Sequence, residues 1–259
     1  MTSFAYDVTG ASGSHTWRDP DGPIRGLPPI RYLEQAARLV QRDRRIYTSL
    51  WRERGITLRT AEMFSIGYDP DQRAWVLPIF DGRGFVCNVT WRPRRGETMR
   101  YGREDISHPM RIGGRRAERG LLPLYPRVPY TGPLLLVAGE WDALACLQHG
   151  IPAVTGLSGK LWHDAWNPAI EGRRIAVMYD VGEETAANNT VQQLRDAGAA
   201  RSWAVSLGLP NYGDDPEIWF RPKQYGGYGR DRDGLLELIR LAKMRQLGED
   251  ERAARLAHA

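Results

Sequence analysis

The residues that could do chemistry in this chain are carboxylates, and they recur at the ends of apolar runs. LLLVAGE delivers Glu140, with Asp142 two residues on, and RRIAVMYD delivers Asp180, followed by Glu183 and Glu184. A third group, Gly213-Asp214-Asp215-Pro216, lies beyond the last apolar run. In open parallel sheets, ligands bind outside the carboxyl ends of the strands, near the point where strand order reverses. Carboxylates gathered there repel one another. A hard cation such as Mg²⁺ relieves that repulsion while keeping room for water and phosphate oxygens. Two such ions can stabilise the attacking and leaving oxygens of a phosphoryl transfer. The competing structural reading makes each acid a helix N-cap or a solvated loop residue. For three strand ends acting together, the chemical reading is the stronger.

The elements needed to hold these acids are legible. LLLVAGE, PAVTGL, RRIAVMYD and RSWAVSL are short apolar runs suited to strands buried on both faces. WDALACLQHG, HDAWNPAIEG and EETAANNTVQQLRDAGA lie between them and read as helices. Strand and helix in alternation predict a parallel, doubly wound α/β domain from Pro133. The tail from Asp233 to His258 reads as a charged amphipathic helix, interrupted near Gly248.

The first half has a different character. Residues 1–29 are rich in Gly, Ser, Asp and Pro and read as a flexible arm. Leu33, Ala36, Ala37, Val40, Tyr47, Leu50 and Trp51 recur at helical spacing, and Gly55 is a C-cap candidate. Thr57 can cap a second helix through Phe64, closing at Gly67. AWVLPIF and FVCNVTWR flank Asp81-Gly82-Arg83-Gly84 as a hairpin. In its second strand Phe85, Cys87, Val89 and Trp91 share one face, with Asn88, Thr90 and Arg92 on the other.

Charge is concentrated in one place. The chain carries a formal +5, yet Arg92 to Arg127 alone holds ten arginines against four acids. Only three lysines occur, Lys160, Lys223 and Lys243. A GC-rich genome accounts for the Arg/Lys ratio but not for the clustering. Arg92, Arg94, Arg95, Arg100 and Arg103, interleaved with Trp91 and Tyr101, could hold a single strand by phosphate contact and base stacking. The alternative is a solvated loop surface. Lys160, after a strand at the sheet's functional end, could reach a nucleotide phosphate.

Several classes are disfavoured. No apolar stretch is long enough for a membrane span, and the opening residues have neither a basic n-region nor an apolar h-region. A cytoplasmic protein without a membrane partner is expected. Cys87 and Cys146 form no C-x-x-C pair, and His108, His149 and His163 have no metal-type spacing, so no zinc is expected. The nine tryptophans, Trp162 and Trp166 included, read as packing residues.

Taken together, these motifs carry a resemblance. LLLVAGEWDALACLQHGIPAVTGLSGK, RRIAVMYDVGEE and LPNYGDDPEIWF resemble, in that order, the Toprim domain of DnaG-type and phage primases. LWRERGITLRTAEMFSIGYDP, VLPIFDGRGFVCNVTWRP and the regions of Tyr101 and Leu124-Tyr125 resemble the basic subdomain preceding it. The resemblance spans roughly Tyr47 to Phe220. It implies an α/β fold: a Toprim-type parallel sheet flanked by helices, preceded by a smaller α+β basic subdomain. The corresponding division is an arm (1–29), a basic subdomain (30–132), a Toprim domain (133–222) and a helical tail (223–259).

The resemblance also implies a function and shows where this chain departs from it. The family's first metal-binding Glu falls on Ala138, and the second Asp of its D-x-D falls on Gly182. Glu140, Asp142, Asp180 and Asp215 keep family-like positions. Positions 138 and 140 share a strand face, so Glu140 could replace the first acid, and Glu183 or Glu184 the second. The expected catalytic residues are Glu140 and Asp180. The expected ligands of Mg²⁺ or Mn²⁺ are Glu140, Asp142, Asp180, Glu183 and Asp215. The implied activity is DNA-primase nucleotidyl transfer in replication, in a host, phage or mobile element. Its partners would be a single-stranded DNA template, ribonucleotides and, as a candidate, a replicative helicase. The family's preceding zinc module is not expected here. The alternative is a catalytically degenerate Toprim protein that binds single strands as a replication accessory; a Toprim nuclease ranks third.

Overall fold

The computed structural model describes residues 30–80, 86–93, 124–126, 132–156, 162 and 164–257. The arm, the tip of the hairpin, Arg94, Arg95, Arg100, Tyr101, Arg103 and Lys160 lie outside these residues. The chain divides into two compact units, residues 1–127 and 128–259.

In the first unit, Leu33, Ala36, Ala37 and Val40 are buried, which makes one apolar stripe of α1 (Ile30–Arg42). The expected single helix is in fact two. Asp43 has extended backbone, and its carboxylate accepts the Arg45 N–H at 2.8 Å, so it caps a new helix, α2 (Arg44–Arg54). A local cap competed with helical periodicity and won. Gly55 (φ 63°) ends α2, its N–H bonded to the Trp51 carbonyl. Thr57 caps α3 (Leu58–Met63) as expected, accepting the Thr60 N–H at 3.2 Å.

Gly67 does not close that helix; it opens β1 (Gly67–Asp69). A Cβ there would lie 2.6 Å from the Ala36 Cβ, so glycine lets the strand lie against α1. β1 pairs antiparallel with β2 (Ala74–Phe80), and β2 with β3 (Val86–Pro93), so the hairpin is one part of a three-stranded sheet. Leu33, Ala36, Val76, Phe80 and Val89 form its core, flanked by Tyr32 and Trp91. Tyr32 links three elements: its hydroxyl donates to Asp69 Oδ2 at 2.5 Å and accepts from Trp91 Nε1 at 2.8 Å. Asp69 Oδ1 in turn takes the N–H groups of Asp71 and Gln72.

The second unit is the doubly wound domain. β4 (Leu134–Val137), β5 (Ala153–Thr155), β6 (Arg174–Met178) and β7 (Arg201–Ala204) are all parallel, in the order β5-β4-β6-β7. The chain winds one way from β4 to β5 and the other way from β6 to β7, so the switch point lies between β4 and β6. α4 (Glu140–Gln148), α5 (Asn167–Ile170), α6 (Glu184–Asp196) and α7 (Pro216–Phe220) follow the strands. The core joins Leu135, Val137, Ala176 and Met178 to Ala143, Trp203, Trp219 and Phe220.

The terminal helix α8 (Arg232–Ala257) runs unbroken through Gly248, against the expected interruption. One glycine costs a helix only about 1 kcal/mol and removes no backbone donor. Leu235, Leu236, Leu238 and Ile239 seat the start of α8 on the core.

Candidate active site at the switch point

β4 ends at Val137, and the chain bends at Ala138 and Gly139 before α4 begins. Thr155 Oγ1 donates to the Ala138 carbonyl at 2.9 Å, tying the ends of β4 and β5 together. Glu140 is therefore the first residue of a helix and not a strand-end residue, and it is only 3% exposed. The strand-face argument for Glu140 replacing an acid at 138 does not hold, because strand alternation stops before either residue. Asp142, two residues later and 4% exposed, reaches back so that Oδ2 accepts the Gly139 N–H at 2.9 Å.

Across the switch point, β6 leads through buried Tyr179 to Asp180. Two backbone bonds then lock this loop to a distant one: Val181 N–H to the Asp214 carbonyl and Gly213 N–H to the Val181 carbonyl, both 2.9 Å. That clasp brings Asp215 to the same end of the sheet as Asp180. Asp215 caps α7, its Oδ1 accepting the Ile218 N–H at 2.7 Å, with Pro216 in the first turn. Glu217, 1% exposed, pairs with Arg221 at 2.8 Å.

The electrostatics show which acids act on one another. Burial pushes the Asp142 carboxyl well above the usual carboxylate range, and the charges of Asp215, Asp180 and Glu217 push it further. Burial, then Glu217, then Asp180 carry Asp215 up to about 7, against the opposing pull of the Ile218 N–H and Arg221. Burial raises the Cys146 thiol, one turn beyond Asp142, and so do Asp142 and Asp215. Asp142, Asp180 and Asp215 thus lie within electrostatic reach of one another. Glu217 is an addition that sequence reasoning missed; its one signal was a second acid two residues after Asp215, inside a capped turn.

The remaining candidates are placed less centrally. Glu183 precedes α6, with its N–H on the Asp180 carbonyl at 3.0 Å, and Glu184 bends back to accept the Gly182 N–H at 3.1 Å. Arg92 sits in β3 opposite Trp75 and is half-buried.

Solved structures carry this architecture. A primase from Aquifex aeolicus, comprising zinc-binding and RNA polymerase domains, superposes with a TM-score of 0.56 at 19% identity; the match covers 81% of this chain and 60% of that one. A DnaG primase catalytic domain bound to single-stranded DNA gives 0.56 at 16% identity, covering 82% and 79%. The E. coli primase catalytic core gives 0.51 at 17%, covering 82% and 80%. The fold is that of a DnaG-type primase catalytic core. No protein-family model and no curated protein matches the sequence.

Within this primase-core fold, the position expected to carry the second Asp of D-x-D has a structural reason to be glycine. Gly182 has φ +93°, and a Cβ on it would lie 2.3 Å from two ring carbons of Tyr212. An L side chain there would face backbone strain and an aromatic ring at once.

Among the described residues, no group of three or more His, Cys, Asp or Glu side chains is placed to hold a metal ion by itself. The donor chemistry nonetheless suits a hard cation. Buried and half-buried carboxylates repel one another at this end of the sheet, and Mg²⁺ is commonly held by one or two carboxylates completed by water and phosphate oxygens. No helix among the described residues is long and apolar enough to cross a membrane.

Proposed function

We propose that this chain is a primase core that joins ribonucleotides on a single-stranded DNA template by divalent-metal-dependent nucleotidyl transfer. The observation that carries the reading is the cluster of Asp142, Asp180, Asp215 and Glu217 at the switch point of a primase-core sheet. Asp180 and Asp215 would hold Mg²⁺ or Mn²⁺, with Asp142 beside them and Glu140 and Glu183 as further candidates. The ion supplies positive charge to the phosphate oxygens among which bonds form and break. The chain's own part is to fix the carboxylates: the Val181–Asp214 clasp holds two of them in register, and the Gly139 turn orients the third.

Residues 30–132 would act as the basic subdomain, with Arg92, Arg94, Arg95, Arg100, Tyr101 and Arg103 on the template, and Lys160 would take a nucleotide phosphate. That one solved primase core is bound to single-stranded DNA supports this partner. A cytoplasmic replication protein working with a helicase fits the same reading.

A second reading has its own observation: Gly182, whose positive φ and contact with the Tyr212 ring disfavour a side chain, removes one acid of the family pattern. A core that kept the fold and the basic segment but lost synthesis would serve as a single-strand-binding accessory. Primer synthesis on a defined template decides between them. An active parent whose Asp180→Asn variant loses both Mn²⁺ binding and synthesis supports the first reading. A parent that binds the template and makes no primer supports the second, and an Asp180→Asn variant as active as the parent refutes the proposed role of the acids.

A further inference from the structure

Among the described residues, Tyr212 is the most exposed large apolar or aromatic side chain, at 83%. Its backbone is nonetheless heavily braced. Asp214 Oδ2 accepts the Asn211 N–H at 3.1 Å, the Asn211 side-chain amide at 3.2 Å and the Tyr228 hydroxyl at 2.7 Å. The Asp214 N–H closes the turn onto the Asn211 carbonyl, and the Gly213 N–H reaches Val181. The ring itself rests on the Gly182 backbone, where no side chain intervenes. An aromatic ring carried on a braced turn, lying against a glycine and otherwise facing water, has the form of a platform rather than of a packing residue.

Location and surroundings indicate what it would hold. Gly182 lies two residues after Asp180, and Tyr212 lies three before Asp215, so the ring stands beside the carboxylate end of the sheet. The other exposed large apolar residues, Leu241, Met244 and Leu256, are all on α8, whereas the neighbours of Tyr212 are Asn211, Gly213 and Gly182. A lone ring among polar and glycine residues is too small for a protein interface, which needs a contiguous patch. It matches the area of one flat aromatic ligand.

We propose that Tyr212 is a stacking platform for a nucleobase presented at the switch point. The idea rests on the nucleotidyl-transfer reading for the kind of ligand, but not on synthesis taking place. The base could belong to a free nucleotide or to a strand, and either stacks through the same π-face.

The test is calorimetric titration of the full chain in Mn²⁺ with three probes: ATP, inorganic tripolyphosphate and a short single-stranded oligodeoxyadenylate. Tyr212→Ala should weaken base-bearing probes about ten-fold, and Tyr212→Phe should stay within about two-fold of the parent. Tripolyphosphate, which has no base, should bind all three proteins alike. Loss confined to ATP assigns the platform to a free nucleotide, and loss confined to the oligonucleotide assigns it to a strand. Unchanged affinity of Tyr212→Ala for both overturns the proposal, as does a parent that binds ATP no better than tripolyphosphate and does not bind the oligonucleotide. A parent that makes no primer yet shows the Tyr212-dependent loss keeps the platform and sinks only the nucleotidyl-transfer reading.

Discussion

Substituting Asp215 by Asn should stabilise the protein above neutral pH and leave it unchanged in acid. Asn keeps the side-chain oxygen that accepts the Ile218 N–H, so the cap of α7 survives the change. What it removes is a charge that the folded chain holds at a cost. The Asp215 carboxyl is carried from an ordinary 3.8 up to about 7, first by burial and then by Glu217 and Asp180. At ~1.36 kcal/mol per pKa unit, a displacement of that size corresponds to a ceiling of ~4 kcal/mol.

The sign follows from proton counting. Below the ordinary value both states carry the proton, and there is no penalty. Between 3.8 and about 7 the unfolded chain has released its proton while the folded one keeps it, so stability falls as pH rises. Above about 7 the full penalty is in place. Relaxation around the buried charge returns part of it, so Asp215→Asn should gain ~2 kcal/mol or more at pH 8 and under ~0.5 kcal/mol at pH 4. Urea denaturation followed by tryptophan fluorescence across that pH range measures both. Mn²⁺ should raise the parent at pH 8 and leave the variant nearly unmoved, since an ion bound to the folded state stabilises it by mass action. Equal stability of parent and variant at pH 8 would show that Asp215 is not held under repulsion and that the cluster is wrongly drawn.

Tyr32→Phe keeps the ring and deletes the hydroxyl shared by Asp69 and Trp91, so it should cost ~1–3 kcal/mol in thermal or chemical denaturation. Gly182→Ala should cost ~1–3 kcal/mol through its positive φ and the Tyr212 ring, with Tyr212→Ala in the same chain restoring part of the loss. Arg92→Ala should weaken single-stranded DNA binding and lower its log–log salt slope by ~0.7, measured by titration at several salt concentrations.

What could be read from the sequence divides along physical lines. β4 and β6 were legible because Leu134–Val137 and Ile175–Met178 are continuous buried apolar runs, and α6 because its buried residues Ala187, Thr190, Val191 and Leu194 recur at helical spacing. β1, with three residues, is too short to show any period, and α2 was hidden because Asp43 interrupts an apolar stripe that continues in register on both sides. At the site, Asp142, Asp180 and Asp215 were proposed from strand ends and resemblance. Glu140 was misplaced because the strand was read three residues past Val137, and the extra length changed which residues could share a face. Glu217 and Tyr212 could not be found that way. Their positions depend on the Val181–Asp214 clasp, a pairing of residues more than thirty apart that leaves no mark in local composition.

The cost of the cluster itself bears on the choice between catalysis and a silent scaffold. A chain using this end of the sheet only as structure would gain stability by exchanging Asp142 or Asp215 for a neutral residue, and an amide serves the cap at 215 as well as a carboxylate does. Instead the sequence sets Asp142 and Asp215 where burial and the charges of Asp180 and Glu217 work against their ionised forms. Local conflicts of that kind concentrate at functional sites, where a ligand supplies the missing compensation. Gly182 limits what that ligand set can be, because its positive φ and the ring lying against it both disfavour another carboxylate at that residue. The arrangement therefore favours a core that binds a divalent ion through Asp180 and Asp215 and uses an aromatic surface where the family pattern has an acid. Such a core should lose Mn²⁺ affinity in Asp180→Asn and keep it in Tyr212→Ala.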